Sequence, residues 1–312
     1  MKVKRKVNRV GRDTLTISLP KDWTKNNFIT KGMDLEIEER TDSLIIKSSK
    51  EVKKNYHLSL NNLNTFILDK LINELYIQNI DYIIINLDKY KLFDYEMQRE
   101  IDAIYYITEL VNDYIGLEVI SQDKDKIIIQ SLIKESSIKE IDLVKQRTCS
   151  LLKELWYSLI GEVNDGFKKS DESLKSQIKS IRRFIYYYVR LVVGSEKNMV
   201  SKLKIFTLYD HLDNSLYKLE RVYLTLKKSQ SISTKLKNII QQVGKLFCDY
   251  LELDEIKSPT DKVSKLIKER FELIKNISKL NLSKEEQEII RELRVFINLH
   301  NDILRTYLST KV

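Results

Sequence analysis

Glycine and proline are scarce in this sequence, with 7 glycines and 2 prolines among 312 residues. Because these two residue types dominate turns, so few of them predict long helices and few loops. The glycines that are present indicate where the non-helical parts lie. Gly11 and Gly32 occur near the start of the chain, and Gly116 precedes a predicted strand.

Cysteines and long apolar runs are also scarce. The 2 cysteines, Cys149 and Cys248, lie far apart, and each sits in a helical apolar pattern, so we expect reduced, partly buried thiols in a cytoplasmic protein. No apolar run approaches the ~20 residues that a membrane span needs, so no membrane insertion is expected. The basic N-terminus does not resemble a signal peptide, because Pro20 and Lys21 cut short the apolar run "LTISL".

Sequence signatures of catalysis are missing as well. The chain contains no glycine-rich phosphate loop, no zinc-ligand spacing and no nucleophile elbow. The acidic residues of "DYEMQREID" are predicted to lie on the surface of a helix, where acids are ordinary. We therefore expect a protein that is not an enzyme and that has no cofactor.

The charge of the chain favours an acidic partner. It has 54 Lys and Arg against 45 Asp and Glu, a net charge of +9 and a pI near 9.1. Since 32% of the residues are charged, most charges are expected to solvate helix surfaces. The first twelve residues are different, because half of them are basic and the first acid is Asp13. These basic residues are Lys2, Lys4, Arg5, Lys6, Arg9 and Arg12.

Residues 1–49 have the pattern of a small β unit. Valines break up the charges of "KVKRKVNRV", Gly11 supplies a turn, and "TLTISL" alternates between apolar and polar residues. Pro20 suits the first turn of a short helix, since the N–H that proline lacks is not needed there. Gly32 can take a positive φ before "LEIEER" and "SLIIKS", which are predicted as a hairpin connected by "TD". Four strands in so short a segment make a poor core, so we expect this unit to dimerise.

Residues 50–133 are predicted to form a small α/β sandwich of order β-α-β-α-β-β. "YHLSL" is predicted as a strand, and the helix that follows carries Phe66, Ile67, Leu71 and Leu75 on one stripe. "IDYIIINL" is a nearly continuous β-branched run, which is typical of a central strand. "DYEMQREIDAIYYITELVND" is predicted as a second helix, and "GLEVIS" and "KIIIQSL" as a hairpin around "QDKD".

Residues 134–312 are predicted to be all helical. Ser283 and Glu286 have the spacing of a capping box at the start of the last helix. About six helices of this length pack either as two three-helix bundles or as one long bundle. The predicted fold class is therefore multidomain α+β. The predicted helices are 137–168, 171–193, 199–228, 232–252, 261–280 and 284–309.

The opening segment resembles the AbrB/SpoVT family of DNA-binding domains. Four pieces carry the resemblance, in order and at the family's spacing, over residues 3–48: "KVKRKVNRVG", "ISLPKDW", "KGMDLEIEE" and "SLIIKS". In that family two chains interleave their hairpins into one barrel, and basic residues of the dimer grip DNA. The resemblance therefore implies a swapped-hairpin domain and a homodimer, in agreement with the small core.

The remainder resembles the archaeal-type phosphate-uptake regulators that join an AbrB-like domain to PhoU helical bundles. "DYIGLEVI" closes the α/β unit as in those proteins, and "LYDHLDNSLYKLE" is similar to the PhoU helix motif, with Asp210, His211 and Asn214 at matching positions. "LRVFINLHNDIL" resembles a second copy that retains Arg294 and Asp302. The resemblance implies a PhoU-like bundle and a role in phosphate uptake or a related transport response.

The chain departs from that family at the metal motif. The motif has a carboxylate one helical turn before Asp210, where this sequence has Phe206. Arg182 and Arg183 occupy the preceding helix where acids are expected, and they would repel a metal ion. We therefore predict no metal site and an ion pair between Asp210 and one of these arginines. His211 is expected to be an ordinary hydrogen-bonded helix residue.

The leading hypothesis is a cytoplasmic, dimeric DNA-binding transcriptional regulator whose bundles receive a signal. The arginines among the predicted contacts can read base edges or hold phosphates, and Lys21 beside a helix N-terminus suits a phosphate. A plain alternative is that these cations only solvate a strand face. The predicted DNA contacts are Lys4, Arg5, Lys6, Arg9, Arg12 and Lys21.

Two further classes of function stay open. The first is an adaptor that binds no DNA, docks on a transporter or signalling protein, and uses the N-terminal domain as a dimerisation clasp. The second is an antitoxin-like partner protein, which the long helical region disfavours because antitoxin tails are usually short. Salt-dependent DNA binding by the N-terminal segment would separate the regulator from the adaptor.

Overall fold

The chain folds as a mixed α+β protein, with small sheets towards the N-terminus and a helical C-terminal region. This coarse fold class agrees with the sequence prediction. The chain divides into two compact units, residues 1–54 and residues 55–312. A computed structural model describes residues 3–39, 43–48, 53–133, 138–167, 171–195, 199–229, 232–253 and 259–311.

The N-terminal unit contains two antiparallel hairpins with a short helix between them. Gly11 takes a φ of 76° in the first turn and Gly32 a φ of 85° before the second hairpin, as their positions predict. Pro20 directly precedes the helix. The predicted "TD" connection lies outside the described residues. In chain order the elements are β1 (Val7–Val10), β2 (Thr14–Ile17), α1 (Lys21–Asn26), β3 (Leu35–Glu39) and β4 (Leu44–Ser48).

Residues 55–133, which we call the α/β layer, surround a four-stranded sheet of order β5-β6-β10-β9. β5 and β6 are parallel, and the other pairs are antiparallel. β6 is central, as its β-branched run predicts, and Ile83 and Ile85 are buried in it. The elements are β5 (Asn55–Ser59), α2 (Thr65–Ile77), β6 (Tyr82–Asn86), β7 (Lys91–Asp94), β8 (Arg99–Asp102), α3 (Ala103–Val111), β9 (Leu117–Gln122) and β10 (Lys126–Ser131).

The predicted second helix of the α/β layer is wrong over its first half. "DYEMQREID" lies in the antiparallel β7–β8 hairpin instead. The carboxylate of Asp94 accepts hydrogen bonds from the N–H groups of Glu96 and Met97, at 2.8 and 3.1 Å, and Gln98 takes a φ of 51°. This side-chain-stabilised turn competes with the helix. The helix α3 begins only after Asp102, whose carboxylate caps its N-terminus.

The buried face of α2 also differs from the predicted stripe. Phe66 and Ile67 are 63% and 39% exposed, whereas Leu75 is buried as expected. The side chains that face the core are offset by one or two residues, and they begin at Leu68 and continue at Ile72. Helical spacing alone does not distinguish an apolar residue that faces the core from an apolar neighbour beside it.

The helical region agrees closely with the prediction. The helix α4 packs on α5 and α7, α6 packs on α5 and α9, and α7 packs on α8 and α9, so the helices pack continuously rather than as two separate bundles. Trp156, Phe247 and Phe296 join three of them, with ring centroids 5.2 to 6.3 Å apart. The helices are α4 (Ile138–Asp165), α5 (Asp171–Gly194), α6 (Met199–Lys228), α7 (Thr234–Leu251), α8 (Pro259–Ser278) and α9 (Lys284–Lys311).

The predicted capping box is confirmed at the start of α9. The N–H of Ser283 donates to Glu286 Oε2, and the N–H of Glu286 donates to Ser283 Oγ, both at 3.2 Å. The second oxygen of Glu286 accepts the N–H of Ser233, the cap residue of α7, at 3.1 Å. One buried carboxylate therefore ties together the N-termini of two helices.

Cys149 and Cys248 are not joined by a disulfide within the described residues. Cys248 is buried, and burial raises the pKa of its thiol to about 11. Among the helices within the described ranges, none combines the length and apolar composition needed to cross a bilayer.

Candidate nucleic-acid interface

The six predicted DNA contacts all lie in the N-terminal unit, and all six side chains are exposed. Their positions follow from the first hairpin and the helix after it. Lys4, Arg5 and Lys6 precede β1, Arg9 is on β1, Arg12 is in the three-residue turn, and Lys21 is the first residue of α1.

Arg9 is held against the turn of the first hairpin. Its Nε donates to the carbonyl oxygen of Arg12 at 3.0 Å, and its Nη2 donates to the same oxygen. Arg9 pairs with Leu15 across the hairpin, and the neighbouring pair on that face is Val7 with Ile17. The side chain of Arg9 therefore starts from the same face of the hairpin as these exposed apolar side chains, and its guanidinium is held near Arg12.

The six cations differ from most of the interhelical cations in their lack of acidic partners. Within the part of the chain that the structure describes, none of the six forms an ion pair. In the helical region, by contrast, Lys153 pairs with Glu252 at 2.8 Å, and Arg221 pairs with Glu292 at 3.0 Å. The positive charge of the first hairpin and α1 is therefore uncompensated by carboxylates of the same unit.

Charge is segregated along the N-terminal unit. The structure adds Lys25 and Lys31 to the predicted cations, since both are exposed and neither forms an ion pair within the described residues. Residues 3–31 thus hold eight Lys and Arg against two acids, whereas residues 34–39 hold four acids and no cation. The sequence signal for the two added lysines was their position in this basic stretch, before the first acidic strand.

Lys21 lies at the N-terminal end of a short helix, as the sequence predicts. The helix α1 has only six residues, and no side chain caps its N-terminus. Such a short helix has a weak macrodipole. Lys21 is therefore an additional exposed cation of the basic surface, and the expectation that the helix end itself helps to bind a phosphate has no further support.

The N-terminal unit has no buried side chain among those that the structure describes between residues 3 and 54. Its apolar side chains instead remain open along both hairpins and at the end of α1, where Phe28 takes a positive φ of 52°. The large apolar side chains that are more than half exposed are Val7 59%, Val10 57%, Leu15 68%, Ile17 51%, Phe28 67%, Ile37 61% and Leu44 63%.

The residues around Asp210 have a different arrangement from the predicted one. Arg182 pairs with Asp213, Nε to Oδ1 at 2.7 Å, rather than with Asp210. Asp210 is exposed and accepts a long hydrogen bond of 3.4 Å from Asn214. His211 is half-buried. Within the described ranges, no group of three or more His, Cys, Asp or Glu side chains is arranged to hold a metal ion.

The chain was compared with protein-family models, with curated proteins and with solved structures, and none of the three comparisons finds a match.

Proposed function

We propose that this protein is a homodimeric DNA-binding transcriptional regulator whose N-terminal unit contacts DNA and whose helical region receives a signal. The observation that carries the proposal is the cluster of exposed cations without acidic partners on the first hairpin and α1. A solvated strand face in a protein as charged as this one would normally contain both signs of charge. Here one sign dominates on the elements that precede β3.

Phosphate contact is the chemistry that such a surface suits best. Arginine and lysine side chains that neutralise DNA phosphates release bound counterions, and that release supplies most of the affinity for non-specific DNA. The guanidinium groups of Arg5 and Arg12 form no hydrogen bond within the described residues, so their donors are available to a phosphate or a base edge. Arg9 uses its Nε and Nη2 donors to bind the carbonyl oxygen of Arg12 in the turn, and in this way it positions Arg12.

The homodimer is supported by the absence of a core in the N-terminal unit. Burying one large apolar side chain stabilises a protein by about 1.5–3 kcal/mol, and none of the described side chains in this unit obtains that gain within one chain. A second copy offers the same apolar hairpin faces, Val7, Leu15 and Ile17 among them, and mutual burial would complete a core. The AbrB-like swapped hairpin is the form of dimer that we propose.

A role in phosphate uptake or a related transport response is the finer part of the proposal. It is supported by the resemblance of residues 208–220 and of the order of segments to the archaeal-type PhoU regulators. An adaptor that docks on a transporter would keep the dimer but would not need the uncompensated cations. DNA binding therefore distinguishes the two functions.

The test is the affinity of the full chain for a mixed-sequence DNA duplex, measured by fluorescence anisotropy. Replacing Arg5, Arg9 and Arg12 by Ala should abolish measurable binding while the circular dichroism spectrum stays unchanged. A matched control replaces three exposed lysines of α8, Lys265, Lys268 and Lys275, and changes the net charge equally. If both variants lost DNA affinity equally, net charge alone would explain the loss, and the proposed interface would be contradicted.

The dimer is tested separately by sedimentation of the full chain and of residues 1–54. We expect both to sediment as dimers, and Ile17→Asp in the full chain to weaken self-association. A folded monomer of residues 1–54 would contradict the shared core. Dimers without DNA binding would support the adaptor instead.

A further inference from the structure

The contact between the α/β layer and the helical region runs along α2 and α5, which pack against each other. We call this contact the α2–α5 seam. Polar and charged side chains of both helices lie along it, beside an apolar core that includes residues of both helices. On α2 they are Asp69, Asn73 and Tyr76, and on α5 they are Arg182, Arg183, Tyr186, Tyr187 and Arg190.

Arg190 closes one end of the α2–α5 seam. Its side chain is 2% exposed, its Nη1 donates to the carbonyl oxygen of Tyr76 at the end of α2, and its Nη2 donates to Ser131 Oγ at 2.8 Å. The guanidinium also lies over the Tyr76 ring, 4.7 Å from its centroid. In return, Asn79 Nδ2 donates to the carbonyl oxygen of Arg190 at 3.1 Å. One residue of α5 thus contacts the ends of both α2 and β10.

Within the described residues, Arg190 donates its hydrogen bonds to a backbone carbonyl and a hydroxyl rather than to a carboxylate, and its buried Nε has no partner. The carbonyl end of α2 is the negative end of the helix dipole, so it is a favourable place for a cation. Burial still lowers the pKa of the Arg190 guanidinium. Both hydrogen-bond acceptors lie on the other side of the seam, so opening the seam breaks both of these hydrogen bonds.

The other end of the α2–α5 seam is poorly satisfied. The carboxylate of Asp69 is only partly buried. The buried Oδ1 of Asn73, one turn further along α2, has no hydrogen-bond partner within the described residues. Burial raises the pKa of Asp69, and Asp113 and Asp213 add to the increase, while Lys70 and Arg182 oppose it. The charge of Asp69 in turn contributes to the raised pKa values of three tyrosines, Tyr106, Tyr114 and Tyr186.

We propose that the α2–α5 seam is a conformational joint that Arg190 holds closed, so that the α/β layer can separate from the helices as a cooperative unit while α7 and α9 stay folded. Polar contacts between parts of a chain are easier to open than apolar ones, since water replaces their hydrogen bonds. The rings of Trp156, Phe247 and Phe296 pack against one another between α4, α7 and α9, and we expect this part of the core to stay closed. The joint does not depend on the proposed DNA binding.

The test is native-state hydrogen exchange of the full chain at neutral pH, followed by mass spectrometry on peptides. Arg190→Met removes the charge and keeps most of the side-chain length. We expect exchange in the last turn of α2 and in β10 to accelerate by roughly tenfold to a hundredfold, which is the effect of losing charge-assisted hydrogen bonds. Peptides from α7 and α9 should exchange at the wild-type rate.

The matched control is Lys153→Met, which removes a cation that ties α4 to the end of α7 and does not touch the seam. It should accelerate exchange near the end of α7 and leave α2 and β10 unchanged. If Arg190→Met accelerates all peptides alike, Arg190 is a global stabiliser and the joint is refuted. No acceleration in α2 and β10 would refute it equally.

A second variant keeps the proposal testable if Arg190→Met does not fold. Asp69→Asn replaces the carboxylate, whose charged form burial disfavours, by a neutral group of the same shape, so it should slow exchange in α2 and β10 at neutral pH. In the wild-type protein, the protection factors of the same amides, which correct for the pH dependence of intrinsic exchange, should rise as the pH falls towards the raised pKa of Asp69. An unchanged or faster exchange in Asp69→Asn would show that this end of the seam does not favour opening.

Discussion

Arg182 of α5 and Asp213 of α6 form the ion pair that joins these two helices, with Nε and Oδ1 2.7 Å apart. Both side chains are about one third exposed. Asp210, which the sequence favoured as the partner, lies three residues earlier, and its side chain is exposed to solvent. The arginine therefore binds the more buried acid, and Asp210 is left to water.

The first prediction concerns this pair. In a double-mutant cycle with Arg182→Met and Asp213→Asn, we expect a coupling free energy of about 1 kcal/mol, because the pair is half-buried and directly hydrogen-bonded. Asp210→Asn should change the free energy of unfolding by less than about 0.5 kcal/mol. Urea denaturation provides the measurement. A coupling of Arg182 to Asp210 as large as that to Asp213 would contradict the observed pairing.

The second prediction concerns the two glycines Gly244 of α7 and Gly161 of α4. A Cβ at Gly244 would lie 2.9 Å from Cε3 of Trp156, which is rigid and fully buried, whereas a Cβ at Gly161 would meet no atom within 4 Å. Gly244→Ala should therefore cost about 1–3 kcal/mol through overpacking. Gly161→Ala should gain up to about 1 kcal/mol from helix propensity. Thermal melting of both variants tests this, and a stabilising Gly244→Ala would show that the Trp156 contact is loose.

The third prediction concerns the pH dependence of stability at Glu286. Burial alone would raise the pKa of this carboxyl, but its hydrogen bonds from Ser233 and Ser283 outweigh burial and hold the pKa below the ordinary value of 4.5. A depressed carboxyl pKa contributes stability that is present above about that value and is lost as the pH falls through the folded-state pKa.

Glu286→Gln should accordingly cost about 1 kcal/mol at neutral pH, the usual effect of losing a helix cap. The difference from the wild-type protein should shrink as the pH falls below 4.5. Denaturation at several pH values measures it. A difference that grows towards acid pH would mean that the carboxylate is not stabilised by these N–H groups.

The fourth prediction concerns metal. Asp210 has Phe206 one turn before it, and Arg182 occupies the nearby Asp213, so carboxylates do not converge there. We expect protein purified under mild conditions to lack stoichiometric iron or zinc, and a chelator to leave its melting temperature unchanged. Elemental analysis and paired melting curves check both points. One or more tightly held transition-metal ions per chain would show that other side chains supply the ligands.

The helices were predictable to within a few residues because their ends carry local signals. Ser283 and Glu286 define the start of α9, and scarce glycine elsewhere predicts long uninterrupted helices. The β7–β8 hairpin was not predictable in this way. Its turn contains no glycine or proline. The chain reverses through the side-chain hydrogen bonds of Asp94 and the positive φ of Gln98, so the composition of this segment did not indicate a turn.

The candidate site was predictable in composition but not in geometry. The six predicted cations are visible in the sequence as part of a basic stretch, whereas the hydrogen bonds from Arg9 to the carbonyl of Arg12 depend on the three-residue turn. The contacts of Arg190 could not be predicted from the sequence. Its sequence context, "YYYVRLVV", is that of any helix, and only tertiary packing brings it to Tyr76 and Ser131.

The most direct test of DNA contact by the N-terminal unit is the salt dependence of DNA affinity in the full chain. Affinity should fall by orders of magnitude between about 50 and about 200 mM salt, since each phosphate contact contributes roughly 0.9 to the slope of log affinity against log salt. Replacing Arg5, Arg9 and Arg12 by Ala removes up to three such contributions, so it should leave no measurable binding across this salt range. The triple lysine variant of α8 should keep the wild-type slope. A triple arginine variant that binds DNA with unchanged affinity and slope would contradict the proposal that this surface grips the phosphate backbone.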